Sequence, residues 1–287
     1  DDRAELIWRD VAGGDSTSNY KGWDGPELVT GWESVQSATA STANRETYTA
    51  AITLQSGDVL AVVGQNGTSA SGQFPIYLSR YSATGGWSSL TALSPGNSEA
   101  QKGCGLLQTQ DGVVQIYTVA DGGKQIDVHS STDDGTSWAP HSLRVLRQDV
   151  PDSDIRKIAV AYSARQILLL VSYVDGGSYE AVQYLSTDDG KSFSTIGTTF
   201  SSDSPDSDEV EGPSLVGLRG GGFVAAWRDA NGANYRTAAI PDGSTSITSS
   251  AKVTVVPANT TEDCAVALYQ RPSGEVLLFA HADGAAF

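Results

Sequence analysis

The sequence predicts an all-β protein built from a repeated antiparallel unit. Three observations carry this. Residues 131–138 read S-T-D-D-G-T-S-W and residues 186–193 read S-T-D-D-G-K-S-F, starting 55 residues apart. Near-identity at that period marks a propeller, solenoid or array. A pattern of apolar run, turn and second apolar run recurs at similar spacing, and no stretch holds a helical period of any length. Composition agrees: 31 glycines in 287 residues suit a turn-rich β-protein.

The hairpins can be taken in order. The first joins 48–54 to 59–63 through Gln55-Ser56-Gly57-Asp58. The second joins 105–109 to 113–119 through Gln110-Asp111-Gly112. The third joins 158–162 to 167–173 through Ser163-Ala164-Arg165-Gln166, where the glycine is replaced. The fourth joins 213–218 to 223–227 through Arg219-Gly220-Gly221-Gly222, and the fifth joins 264–269 to 275–280. Turn residues at fixed offsets between apolar runs identify hairpins. The second strands are continuously apolar, as in Ile167-Leu168-Leu169-Leu170-Val171, which is expected of strands covered on both faces.

Two outer strands follow each of the first four hairpins: 74–80 and 87–93, 125–130 and 138–145, 180–185 and 193–199, 235–240 and 251–256. The fifth hairpin has none after it, whereas 4–11 and 28–35 read as strands with no hairpin of their own. Open sheet edges are a liability, so the economical reading closes a ring. It predicts a single domain over 1–287, a β-propeller of five four-stranded blades near 46–100, 101–153, 154–210, 211–261 and 262–287. Residues 1–45 then supply the strands that close the C-terminal blade. A six-bladed ring is the alternative.

Charge and composition exclude several functions. A formal charge of −16 argues against a nucleic-acid partner, which needs clustered Lys and Arg. No apolar run reaches the length of a helical membrane span. Two cysteines, Cys104 and Cys264, build neither a disulfide framework nor a metal site unaided, and they read as buried free thiols. No metal or other cofactor is expected. The absence of Met implies that the chain is processed or is part of something longer. Asn66-Gly67-Thr68 and Asn259-Thr260-Thr261 fit glycosylation acceptors in a secreted protein.

The pattern S-x-D-x-G-x-[ST]-[WF], present twice, resembles the Asp-box of the sialidase-like (BNR-repeat) β-propellers. In that family the box closes the hairpin between the third and fourth strands of a blade, far from the active site. Membership implies six blades, an extracellular setting and a glycan at the channel mouth. The implied catalytic kit is three arginines on the substrate carboxylate, a Tyr nucleophile polarised by a Glu, and an Asp acid/base. The chemistry explains those residue types: guanidinium forks match a carboxylate, and a Tyr hydroxyl needs a carboxylate neighbour to become nucleophilic.

This sequence matches the kit in part. Glu211-Gly212-Pro213-Ser214 followed by 223–228 resembles the segment that carries the Glu and an Arg, here Arg228, with one extra residue. Glu262-Asp263-Cys264-Ala265 resembles the segment that carries the Tyr, but Glu262 stands in its place. Arg45 lies before the first hairpin, about two positions from the family's Arg and without its Pro.

The loops entering first strands and leaving second strands ring one mouth of a propeller. The candidate catalytic residues are therefore Glu211, Glu262 and Asp154, and the candidate substrate-binding residues are Arg45, Tyr48, Arg156, Arg228 and His281. Paired carboxylates there can act as acid and nucleophile or base. The expected function is an extracellular carbohydrate-active protein that binds or hydrolyses a glycan, a glycoside hydrolase other than an ordinary sialidase if it is an enzyme. The alternative is a non-catalytic propeller serving as a recognition or structural module beside other domains or chains.

Overall fold

The computed structural model describes residues 4–12, 15–23, 36–37, 45–66, 76–82, 84–94, 104–120, 125–146, 155–175, 178–196, 213–228, 235–243, 248–249 and 266–280. Every regular element among them is a β-strand. The chain divides into two compact units, 1–121 with 127–141, and 122–126 with 142–287.

All five expected hairpins are present. The first is β4 (Arg45–Thr53) with β5 (Val59–Asn66), extended by β6 (Ile76–Ser82), β7 (Gly86–Trp87) and β8 (Thr91–Ser94). Strands β7 and β8 both pair with β6. The second is β9 (Cys104–Gln108) with β10 (Val114–Ala120), followed by β11 (Gln125–Ser131) and β12 (Ala139–Leu146). The third is β13 (Ile155–Ser163) with β14 (Gln166–Asp175), then β15 (Ser178–Ser186) and β16 (Ser194–Thr195). The fourth is β17 (Ser214–Gly217) with β18 (Phe223–Arg228), then β19 (Tyr235–Ile240) and β20 (Thr248–Ser249). The fifth is the two-stranded pair β21 (Val266–Gln270) and β22 (Val276–Ala280). Each of the second, third and fourth sheets runs in sequence order across four strands.

The N-terminal strands behave differently from the expectation. Strand β1 (Ala4–Ala12) pairs with β2 (Asp15–Trp23) at every position from Ala4↔Trp23 to Ala12↔Asp15. Strand β3 (Gln36–Ser37) adds to β2. Among the described residues these strands form a sheet of their own rather than pairing with β21 and β22. The expected strands at 28–35 and 251–256 lie outside the described residues.

Burial explains why the second strands are so apolar. Ile167 to Val171 are at most 1% exposed, and β14 is bonded along its length to β13 on one edge and β15 on the other. Residues on both pleats of such a strand meet other protein atoms, so alternation with polar residues is lost. Val114, Ile116, Ala225 and Trp227 are equally enclosed in β10 and β18. In the first unit Leu60, Val62, Leu78, Leu106 and Ile116 share one core cluster. In the second, Leu168, Phe223 and Ile240 share another, and Leu170, Ala225 and Trp227 a third.

Two local features carry strain or tight approach. The β13–β14 turn has only two residues, since Ser163 pairs with Gln166. Ala164 and Arg165 both take positive φ, 46° and 65°, the left-handed pair that such a hairpin requires. Neither residue favours it, at a cost of about 1 kcal/mol each. Gly217 lies where β17 meets the neighbouring sheet. A Cβ there would collide with the Tyr162 carbonyl and press on the Ser163 side chain.

Ala164→Asn is expected to stabilise the chain by about 0.5–1 kcal/mol, because Asn tolerates the left-handed region. A higher urea midpoint with an unchanged slope is the measurement. Gly217→Ala is expected to cost about 1–3 kcal/mol by forcing two backbones apart. A thermal midpoint equal to that of the parent protein would contradict the close approach.

Candidate functional site

The hairpins have two distinct ends. At the turn end the two strands are joined. At the open end the chain enters the first strand and leaves the second. The candidate residues with described backbone all sit at open ends. Arg45 opens β4 opposite Asn66. Tyr48 pairs with Gly64 just past a bulge in which Thr47 is the extra residue. Arg156 is itself the extra residue of the corresponding bulge in β13, between Ile155 and Lys157. Arg228 ends β18 opposite Tyr235. Bulges re-aim side chains and are common beside active sites. Glu211, Glu262, Asp154 and His281 lie outside the described residues.

The paired bulges adjust the phase of the repeat. Lys157, not Arg156, occupies the register position that Tyr48 holds in β4. Lys157 is only 3% exposed, and its carbonyl accepts a hydrogen bond from the Ser172 hydroxyl at 3.4 Å. A bulge adds a residue without changing the hydrophobic pattern, so spacing alone could not find it.

The turn ends carry a dense polar web. In the first S-T-D-D-G turn, the Ser131 hydroxyl donates to Asp133 Oδ1 at 2.7 Å and accepts from the Gly135 amide at 2.8 Å. Asp133 Oδ1 accepts from the Ser137 amide, and Oδ2 from the Ser137 hydroxyl. The second turn repeats these bonds with Ser186, Asp188, Gly190 and Ser192. Asp134 and Asp189 both take φ of 58° ahead of a left-handed glycine. One sequence thus folds to one geometry twice.

The same bonds tune the acids. The Ser137 hydroxyl, then the Ser131 hydroxyl and the Ser137 amide, hold the Asp133 carboxyl down at about 2. For Asp188, partial burial pushes upward, but the Ser192 hydroxyl and amide and the Ser186 hydroxyl outweigh it and hold the group at about 2. Cys104, a free cysteine, has its thiol pushed up to about 12 by burial, which makes it a poor nucleophile. Cys264 lies outside the described residues.

Neighbouring sheets are fastened through these turns. Arg80 on β6 donates through Nε to Asp58 Oδ2 at 2.7 Å, through Nη1 to the Asp134 carbonyl at 2.8 Å, and through Nη2 to Asp134 Oδ2 at 2.7 Å. Gln108 Nε2 reaches its own turn at the Gly112 carbonyl while Oε1 accepts from the Gln55 amide of the preceding turn at 2.7 Å. Gln270 does the same with the Gly274 carbonyl and the Arg219 amide. This clasp has a readable signature, a Gln four residues before the turn glycine. The Arg80 web has none, since Asp58 and Asp134 come from separate turns.

Among the described residues no group of three or more His, Cys, Asp or Glu side chains is placed to hold a metal ion. No helix there is long and apolar enough to cross a membrane.

No family model matches the chain, and no curated protein matches it. Solved structures do. A Hadza microbial sialidase superposes with a TM-score of 0.63 at 13% identity, over 98% of this chain and 63% of its own. A NanB sialidase variant from Streptococcus pneumoniae gives 0.69 at 7% identity, over 97% and 62%. An α-L-arabinanase from Penicillium chrysogenum, complexed with arabinobiose, gives 0.54 at 15% identity, over 82% and 75%. The fold is sialidase-like. This sialidase-like chain spans less than two thirds of the length of either sialidase.

The depressed acids set a pH dependence. A carboxyl with a folded pKa near 2 contributes stability that is complete above its unfolded value of about 3.9 and disappears as pH falls through 2. The Asp188→Asn variant is expected to melt below the parent protein at pH 6, with the gap closing between pH 4 and 2. Parallel melting curves across that range would contradict the hydrogen-bonded turn.

Proposed function

We propose that this chain is an extracellular carbohydrate-active propeller that binds and hydrolyses a glycan at the open ends of its hairpins. The observation that carries the reading is the fold shared with carbohydrate-active enzymes, among them sialidases, an α-L-arabinanase, an α-L-arabinofuranosidase and a polysaccharide lyase. The two S-T-D-D-G turns are read as Asp-boxes of that fold. The separate sheet β1–β2–β3 supports a six-bladed arrangement over the five-bladed one.

The chemistry follows from the residue types. Glu211 and either Glu262 or Asp154 form the carboxyl pair. One protonates the leaving-group oxygen, and the other attacks the anomeric carbon or activates water. A separation of about 5–5.5 Å gives retention and about 6.5–9.5 Å gives inversion. In the second unit Arg156 and Arg228 supply guanidinium donors and His281 a further polar contact; in the first unit Arg45 and Tyr48 offer a guanidinium and an aromatic hydroxyl at the open end of their own hairpin. Glu262, standing where the sialidase pattern has Tyr, directs the proposal away from sialic acid and towards other glycosides.

That replacement also favours a second reading, a glycan-recognition module without turnover. A panel of chromogenic pentosides, hexosides and sialosides separates the two. Hydrolysis of a non-sialyl glycoside, reduced at least about 100-fold in kcat by Glu211→Gln, is the expected result. No turnover on the panel, together with retained binding on a glycan array, would leave the recognition module.

A further inference from the structure

A cavity of about 250 Å³ lies in the first unit, beside the first S-T-D-D-G turn. It belongs to the turn end of the β4–β5 sheet. Arg45 and Tyr48 mark the opposite end of that sheet. Leu60, which lines the cavity, is four residues along β5 from Gly64, the partner of Tyr48. At about 3.4 Å per residue that is about 14 Å.

The lining has two characters. Leu60 and Leu78, both buried, and the half-buried Trp138 indole give an apolar floor. The exposed residues Ser88 and Thr91 and the half-buried Arg80 give a polar rim. The floor is fixed: the Trp138 Nε1–H donates to the Gly135 carbonyl at 3.1 Å, and Gly135 packs so closely against Leu60 that an added Cβ would lie 3.2 Å from it.

The rim has hydrogen-bonding capacity left. Arg80 has five N–H donors. Four engage Asp58, Ser56 and the carbonyl and carboxylate of Asp134. Among the described residues one N–H on Nη1 has no acceptor. The Ser88 hydroxyl accepts from the Arg80 amide and donates to the Ser89 carbonyl, which leaves it one lone pair.

Charge then selects the ligand. Asp58 and Asp134 together outweigh the single positive charge of Arg80, and the ionised Asp133 lies in the same turn. Among the described residues Arg80 is the one charged side chain in the lining, and because both carboxylates neutralise it an anion entering the cavity finds no uncompensated cation. A cation finds both carboxylates already bonded to Arg80. A ring with apolar C–H faces and a rim of neutral hydroxyls matches both floor and edge, since aromatic and aliphatic surface takes the faces while a few placed polar groups fix orientation.

We propose that this cavity is a binding site for one neutral monosaccharide unit, separate from the open-end site and independent of whether that site turns over. The atom count of a single sugar ring sets a dissociation constant on the order of millimolar.

The test uses the full chain and methyl glycosides of glucose, galactose and arabinose, with N-acetylneuraminic acid as the anionic probe. Binding is read by saturation-transfer NMR and by Trp fluorescence. At least one neutral glycoside is expected to bind, and the acid is not. Thr91→Phe places a ring over the cavity from an exposed position and is expected to weaken the neutral glycoside at least tenfold. Glu211→Gln is expected to leave that binding unchanged, which separates this site from the proposed catalytic one. Absence of neutral-glycoside binding to about 50 mM, roughly ten times the expected constant or more, would overturn the proposal. So would binding indifferent to Thr91→Phe, abolished by Glu211→Gln, or equalled by the acid.

Discussion

The central requirement of the first four hairpins is that the second strand be enclosed on both faces and bonded on both edges. Strand β14 shows it most fully, with Ile167 to Val171 sealed from solvent and every backbone group from 167 to 175 opposite a partner in β15. A buried peptide group without a partner costs about as much as a lost hydrogen bond. The apolar run therefore obliges the chain to supply a strand on each side. The lengths of β13 and β15, and the positions of the turns between them, follow from that obligation.

Enclosure also divides labour between the ends of each hairpin. The turn ends are where sheets are tied to one another, through the Gln108 and Gln270 clasps and the Arg80 web. Individually such partly exposed bonds contribute about 1 kcal/mol or less. Their value lies in repetition at equivalent positions, which fixes sheet against sheet. The open ends carry Arg45, Tyr48, Arg156 and Arg228, two of them at or beside a bulge. Turn ends fastened in this way give the strands a rigid frame, and a rigid frame suits presentation of ligand-binding side chains.

Much of this was legible in the sequence. Apolar runs and turn residues located all five hairpins, because burial and turn geometry act locally on residue type. The repeated S-T-D-D-G stretch signalled one turn geometry, and the structure has it twice. What pattern could not supply was contact between distant segments. Arg80 meets Asp134 from 54 residues away, and nothing near Arg80 announces it. The bulge at Arg156 was hidden for a different reason, since an inserted residue leaves the apolar run intact while shifting which side chain takes the position of Tyr48. The self-pairing of β1 and β2 was missed because β2, D-S-T-S-N-Y-K-G-W, has the polarity of a loop. Of the site itself, the sequence named residue types and strand ends; Glu211, Glu262, Asp154 and His281 rest on that reading.

The closed turns bear on how the protein ages. Asp134-Gly135 and Asp189-Gly190 are the dipeptide in which a glycine amide most readily attacks the preceding side-chain carboxyl to form a cyclic imide. In both turns the glycine amide is already donated to a serine hydroxyl, at 2.8 and 2.9 Å. The Asp134 carboxylate, despite partial burial, is kept ionised by Ser56, Arg80 and Gln108, which makes it a weak electrophile. Folding thus withholds the attacking amide in both turns, and in the first turn the electrophile as well, so the bonds that shape the turn act as its preservative against a slow chemical lesion.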